Sequence, residues 1–310
     1  MITTNFTFLS ADGKTAIHAV KWESETVPYC AILQISHGMV EFIERYQNFA
    51  EYLVQQGYLV VGHDHLGHGQ SVSSQEDWGY VGENPSDLMV EDMHKLRLLI
   101  QAENPHVPYF MMAHSMGSYM LRKYLSQHNQ DLAGAIIMGT GYISKSTTNL
   151  AKFVTRTVAL FRGWKYRSSF VADASFGKPY KKFDLTGRDA ANSWLTKDPE
   201  VVKWYYSTPE CSFLFTLNGF LGLFQAVECA CRQSTVDLYP KNLPVLLVSG
   251  ADDPVGESGV GVKKVYEMFQ KAALKDVTMK LYETDRHEIL NELDKETVYA
   301  DLAAWMNARR

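Results

Sequence analysis

The chain has no apolar run long enough to cross a bilayer. Its most apolar window, Phe213 to Val227, is short and is broken by Asn218, Gly219, Gly222 and Gln225. Two readings stand for it: packing inside a core or lobe, or a lipid-facing lip. The N-terminus, Met1-Ile2-Thr3-Thr4-Asn5-Phe6, lacks the basic start and apolar stretch of a secretory leader, so none is expected. Cysteine is sparse. Cys30, Cys211, Cys229 and Cys231 form no Cys-x-x-Cys, and Cys229-x-Cys231 has no second pair to complete a zinc site. Free thiols in a reducing cytoplasm are the expectation. No basic tract breaks the net charge of −5, which argues against a nucleic-acid partner. Internal repeats and low-complexity tracts are absent as well.

What is present suits a soluble globular protein. The chain has 310 residues, 46% hydrophobic and 21% charged, enough for one large core or a core with an inserted lobe. Phe6 to Leu9 and Ile17 to Trp22 read as opening strands around an Asp12-Gly13 turn. The next strands are expected at Tyr29 to Ser36 and Tyr58 to Gly62, with a helix from Arg45 to Gln56 stopped by Gly57. Ser86 to Ala102 has the apolar spacing of an amphipathic helix, and Asp87, Glu91 and Asp92 favour its N-terminal end. Leu132 to Met138 is another apolar strand. From about Tyr142 to Tyr239 the strand–helix rhythm stops, and aromatic residues such as Trp164, Trp194, Trp204, Phe213 and Phe224 crowd in. It resumes with a strand at Pro244 to Ser249, a helix at Val260 to Leu274, a strand at Thr278 to Tyr282 and a helix at Leu293 to Met306. Alternation predicts an α/β fold with a mostly parallel, doubly wound sheet. A break of that length is read as an insertion, not a loop. The expected division is a core of 1–141 and 241–310 with a largely helical cap at 142–240.

The chemistry centres on Ala113-His114-Ser115-Met116-Gly117. An apolar run, Pro108 to Ala113, ends there, and Gly117 to Gln127 places Met120, Leu121, Tyr124 and Leu125 at helical spacing. Strand, serine, helix is the nucleophile elbow of the α/β-hydrolases: a sharp turn with small flanking residues that exposes Oγ above the sheet. Such a serine needs a base and a third group to orient it. In this fold the acid and then the histidine follow the nucleophile. Only His128 and His287 follow Ser115; His128 lies near the far end of the elbow helix, whereas His287 follows the last strand, where such sites assemble. The acid is expected in Gly250-Ala251-Asp252-Asp253. Asp253 is preferred as the fourth position of Gly-x-x-Asp, and Asp252 is read as a turn residue. The oxyanion donors are expected to be the backbone N–H groups of Met116 and of Met39, in His37-Gly38-Met39, with His37 structural.

His37-Gly38-Met39-Val40-Glu41 with Arg45-Tyr46, Asp64-His65-Leu66-Gly67-His68-Gly69-Gln70-Ser71, the elbow, Gly250-x-x-Asp253 and His287-Glu288 together resemble the monoacylglycerol lipase and lysophospholipase branch of the α/β-hydrolases. That branch is also labelled the serine aminopeptidase (S33-like) family. The resemblance covers nearly the whole chain. It implies hydrolysis of a small-molecule acyl ester or lipid under a hydrophobic cap, without a cofactor. Phe42 stands where the family usually has His, and Ala113 replaces the first elbow glycine.

Rival readings remain. His63-Asp64-His65-Leu66-Gly67-His68 looks at first like a metal motif, but a binuclear zinc site would place Asp where Gly67 stands; the expectation is no metal, with Asp64 bonding local backbone and the histidines shaping a rim. The same triad could serve a peptidase or amidase, given a cap acid for the substrate amine; Asp173, Asp184, Asp189 and Glu210 are the candidates. A non-catalytic ligand-binding relative would lack a triad member. The cap aromatics are expected to form the lobe's core and to line an acyl tunnel, with transient contact between the cap and a membrane surface.

Overall fold

The computed structural model describes residues 1–26, 28–128 and 131–310. Its strands are β1 Ile2–Leu9, β2 Ala16–Glu23, β3 Ala31–Ser36, β4 Tyr58–His63, β5 Tyr109–His114, β6 Gly134–Met138, β7 Val245–Gly250 and β8 Val277–Tyr282. They form one 8-stranded sheet in the order β1-β2-β4-β3-β5-β6-β7-β8. Only β2 runs against its neighbours, pairing antiparallel with β1 and β4; all other pairs are parallel. Every residue of β3 to β7 is buried, which is why those segments are mostly apolar, with Gln34 the polar exception inside β3. The edge strands β1 and β8 alternate instead.

The helices are α1 Gln47–Val54, α2 Pro85–Glu103, α3 Met116–Gln127, α4 Lys145–Arg162, α5 Ser169–Ser175, α6 Pro199–Ser207, α7 Pro209–Ser212, α8 Leu217–Ala230, α9 Gln233–Val236, α10 Val260–Lys271 and α11 Lys295–Asn307. They cover both faces of the sheet. One apolar core gathers Met93 and Leu96 of α2, Leu121 of α3, Phe224 of α8 and Phe269 of α10; the other gathers Phe49 and Leu53 of α1 with Leu302 and Met306 of α11. This is the α/β-hydrolase fold.

Between β6 and β7 the described chain is helical, and each main helix carries a local start signal. Ser144 caps α4 by accepting from Thr147 N–H; Asp198 caps α6 from Glu200 and Val201, ahead of Pro199; Thr216 caps α8 from Gly219. The apolar window at Phe213 to Val227 is core: α8 is mostly buried, and Asn218 ties it down by accepting from Val81 and Gly82 N–H at 2.8 and 3.0 Å. Exposed apolar surface lies instead on α4, at Leu150, Phe153, Leu160 and Phe161. No helix among the described residues is long and apolar enough to cross a membrane.

Candidate active site

Parallel strands end on the same side, and that register gathers the site. Ser36 of β3 pairs with Ala113 of β5, and His114 pairs with Met138 of β6, so the loops after β3 and β5 leave the sheet together. Ser115 sits between β5 and α3 at φ +54°, ψ −120°. A non-glycine residue at positive φ stores about 1–3 kcal/mol of strain. The turn is held by Ser115 N–H donating to Met138 O at 3.0 Å and by Ser118 N–H donating to Ser115 O at 2.9 Å. Gly117 must be bare: a Cβ there would lie 2.4 Å from His37 O. Ala113 is fully buried, its methyl accommodated in β5.

Three distant residues form one line. His287 Nε2 lies 2.8 Å from Ser115 Oγ, and His287 Nδ1 lies 3.0 Å from Asp253 Oδ2. Asp253 is fully buried and also accepts from Ser249 Oγ at 3.0 Å and Val255 N–H at 2.8 Å. Burial works to raise its carboxyl, but the His287 charge and these donors hold it below the ordinary value. Asp252 is elsewhere. Its side chain is 47% exposed, 3.8 Å from Lys182 Nζ, and its backbone N–H, not its carboxylate, makes the turn contact with Asp285 O. His128 lies away from the line, bonded to Glu91 at 2.8 Å and stacked on His94.

The loop after β3 presses on Ser115; a Cβ on Gly38 would lie 3.0 Å from Ser115 Cβ. Its His37 accepts His65 N–H at Nε2, 2.8 Å, so Nδ1 carries the proton and donates to Gly38 O at 2.7 Å. Burial pushes this imidazole down to about 3, a neutral structural histidine. Glu41 closes the loop by accepting from Gly38 N–H at 2.5 Å and Tyr46 Oη at 3.1 Å. Arg45 bridges Glu41 at 2.7 Å and grips Glu288 with both Nη atoms, 2.9 and 2.7 Å. His114 faces two acceptors, the Glu41 carboxylate at 3.2 Å and His287 O at 3.1 Å, an arrangement that favours the protonated ring. Burial works to lower its pKa, but Glu41 raises it overall. The sequence motifs contained these residues without showing that they form one network.

Two chambers open on Ser115. One, of about 410 Å³, is walled by apolar side chains including Val154, Phe170, Val171, Leu223, Phe224 and Val227. The other, of about 260 Å³, is lined by Trp194, Tyr205, Phe213 and Phe215 above Glu41 and Glu288. Met39 borders both, and Met116 borders the larger. None of Asp173, Asp184, Asp189 or Glu210 lines either.

His63, His65 and His68 do not shape a rim. All three are fully buried, with His65 packed 5.0 and 6.3 Å from the rings of His63 and His68, because the loop after β4 folds beneath the loop after β3. Asp64 does bond local backbone, accepting from Ile43 and Gln70 N–H at 2.8 Å each. Among the described residues, only His18, Glu44 and Asp64 bring ligand-type atoms within 4.8 Å of one another; in the structure His18 Nε2 bonds Glu44 at 2.8 Å there.

A sequence profile of the family described as serine aminopeptidase, S33, matches residues 28–294. The chain belongs to that family. Monoglyceride lipase from Rattus norvegicus is 25% identical over 311 aligned residues, covering 97% of this chain and 89% of its own. Monoacylglycerol lipase from Mycolicibacterium smegmatis is 24% identical, covering 96% and 95%. Among solved structures, a thermostable carboxyl esterase from Bacillus coagulans superposes with a TM-score of 0.90 at 27% identity, covering 100% of this chain and 99% of its own. The S33 family chain described here is therefore a monoacylglycerol lipase-like α/β-hydrolase, with lipases and esterases as relatives.

Proposed function

We propose that the protein is a serine hydrolase that cleaves carboxylic esters of the monoacylglycerol or lysophospholipid kind. Ser115 is the nucleophile, His287 the base and then the acid, and Asp253 the group that fixes the His287 tautomer. The observation that carries this reading is the unbroken Ser115–His287–Asp253 line at 2.8 and 3.0 Å, opening on an apolar chamber of about 410 Å³. Ser115 Oγ attacks the acyl carbon as its proton passes to His287 Nε2. The tetrahedral oxyanion is received by the backbone N–H groups of Met39 and Met116, the latter at the positive end of α3. Collapse expels the alcohol, which takes the proton from His287, and water then hydrolyses the acyl-enzyme by the same route.

The acyl chain is assigned to the larger chamber and the alcohol to the smaller. An ester is favoured over a peptide with a free amine because both acids in the lining, Glu41 and Glu288, are already neutralised by Arg45 and His114. Segment 142–240 acts as the cap. Leu150 and Phe170 line the larger chamber and are 63% and 66% exposed, so its mouth opens within the apolar surface of α4. Brief contact of that surface with a lipid layer would deliver the substrate. A cytoplasmic location completes the reading, supported by the sparse, unpatterned cysteines.

The test is labelling with an organophosphonate probe: one adduct, at Ser115, abolished in Ser115→Ala. Persistent labelling in that variant refutes the nucleophile. A panel of p-nitrophenyl esters, monoacylglycerols and aminoacyl amides tests the substrate class, with faster turnover of the amides as the refuting result. Flotation with phosphatidylcholine–phosphatidylglycerol vesicles, comparing wild type with Phe153→Asp/Phe161→Asp, tests the lipid contact; equal flotation of the two refutes it.

A further inference from the structure

One cap residue touches the triad itself. Trp194 stacks on the His287 ring, with centroids 5.0 Å apart and planes at 29°. The imidazole also meets the His114 ring at 4.5 Å, with the planes tilted by 44°. Contact extends to the backbone. Segment 193–196 runs beside the histidine loop: His287 N–H donates to Trp194 O at 3.4 Å and Glu288 N–H to Leu195 O at 2.7 Å. Arg286 Nη1 fastens the same segment through Ser193 O at 2.5 Å and Ala191 O at 3.2 Å. Thr196 Oγ1 adds a bond to Asn291 O at 3.0 Å. Behind Trp194, Phe176 and Tyr180 pack at 6.1 and 5.4 Å, fixing the indole plane.

We propose that Trp194 is a positioning residue for the proposed hydrolysis: its indole face orients His287 and stabilises the imidazolium that forms when Ser115 gives up its proton. The inference rests on the triad reading above. An aromatic face attracts a cation through its quadrupole, most strongly when both are removed from water and most strongly for indole. His287 is 2% exposed, so water competes little with that attraction. The other groups around the ring are Asp253 on Nδ1, Ser115 on Nε2, and His114 with Glu41, Arg45 and Glu288 behind it. Tyr180, from the cap, also packs toward this site through Trp194. Trp194 also hydrogen-bonds Tyr206 through its side chain, a contact that Phe or Leu would lose and a ring-fluorinated tryptophan keeps, so the fluorinated enzyme isolates the indole face.

The experiment compares wild type, Trp194→Phe, Trp194→Leu and protein carrying a ring-fluorinated tryptophan incorporated site-specifically at 194. Fluorination drains the quadrupole while keeping the shape, so it remains informative even where the leucine variant folds poorly. With a butyryl ester, kcat should fall about tenfold in Trp194→Leu and less in Trp194→Phe, with KM within about twofold. In the fluorinated enzyme, the acid limb of the kcat/KM profile should move down by about half a unit. A folded fluorinated enzyme with wild-type kcat and an unmoved acid limb overturns the inference. Ser115→Ala and His287→Ala, assayed alongside, separate the two failures. If they retain activity, the triad reading itself is wrong; if they are inactive while the fluorinated enzyme matches wild type, only the role of Trp194 is lost.

Discussion

Adjacent carboxylates in Asp252-Asp253 make the sharpest test of the site, because the two positions differ so much in surroundings. Asp253 is fully buried and accepts from His287 Nδ1, whereas the Asp252 side chain is 47% exposed beside Lys182. Consider Asp253→Asn. The carboxylate only accepts, so it keeps the proton on Nδ1 and leaves Nε2 free to take the Ser115 proton. An amide can donate to Nδ1 instead, which moves the ring proton to Nε2 and removes the base. In a serine protease with the same arrangement this exchange lowers kcat about ten-thousandfold, equivalent to about 5 kcal/mol of barrier. The same order is expected here. Asp252→Asn loses only a half-exposed ion pair at 3.8 Å, so activity should stay within about twofold. The assay is kcat/KM on a soluble butyryl ester, with circular dichroism and melting curves to establish folding. The reasoning is refuted by a folded Asp253→Asn enzyme within tenfold of wild type, or by a greater loss in Asp252→Asn.

Leu223→Trp puts a large side chain into the 410 Å³ chamber and should select against long acyl chains. At about 0.8 kcal/mol per methylene, three excluded methylenes lower kcat/KM on a dodecanoyl ester about sixtyfold, while an acetyl ester is unaffected; equal loss on both esters would assign the chamber another role. Burial pushes His68 down to about 4 from 6.5, so the unfolded chain takes up that proton first and stability falls as pH drops through this window. His68→Phe, set beside Phe213 and Phe215, should flatten the acid side of the stability profile by on the order of 3 kcal/mol, read by urea unfolding between pH 7 and 4 (roughly 1.4 kcal/mol per pH unit). His114 is shifted the other way: burial lowers it, but Glu41 raises it overall, so its contribution is complete below 6.5 and fades as pH rises through its folded value. The melting-temperature gap between wild type and His114→Asn should therefore narrow from pH 6 to pH 9; a constant gap would mean that the ring is neutral.

The sheet was legible because strands buried on both faces must be mostly apolar, and β3 to β7 are. The elbow was legible because Ser115 needs small neighbours, and the clash awaiting a Cβ at Gly117 shows why. Elimination could single out His287 because only two histidines follow Ser115, and the structure places His287 Nε2 2.8 Å from Ser115 Oγ. Boundaries moved by a few residues where local chemistry takes over; the helix expected from Arg45 begins at Gln47 because Ile43–Tyr46 forms a tighter turn first. The histidines after β4 were misplaced as a rim because sequence shows polarity, not which loop lies beneath another. Trp194 was one of many cap aromatics. Nothing in its neighbours marks it, since its partner lies 93 residues further along the chain.

Four buried ionisable groups sit behind the Ser115–His287–Asp253 line: Arg45 and His114 face Glu41 and Glu288, and with His114 protonated, the form Glu41 favours, the set is neutral. Buried ion pairs add little net stability, yet removing one member leaves an uncompensated charge, at a cost of about 3–5 kcal/mol. Three members also touch different segments. Glu41 holds the Gly38 N–H of the loop after β3, His114 holds His287 O, and Arg45 carries the Tyr205 ring of α6 at 5.0 Å. Separating these segments would strand charge, so the set ties the loop after β3, the His287 loop and α6 into one register. Phe42 packs 6.2 Å from Trp204, whose ring also faces Arg45 at 5.8 Å. A titrating imidazole there would add charge beside a balanced set, whereas a phenyl ring leaves the balance to the four residues that already keep it.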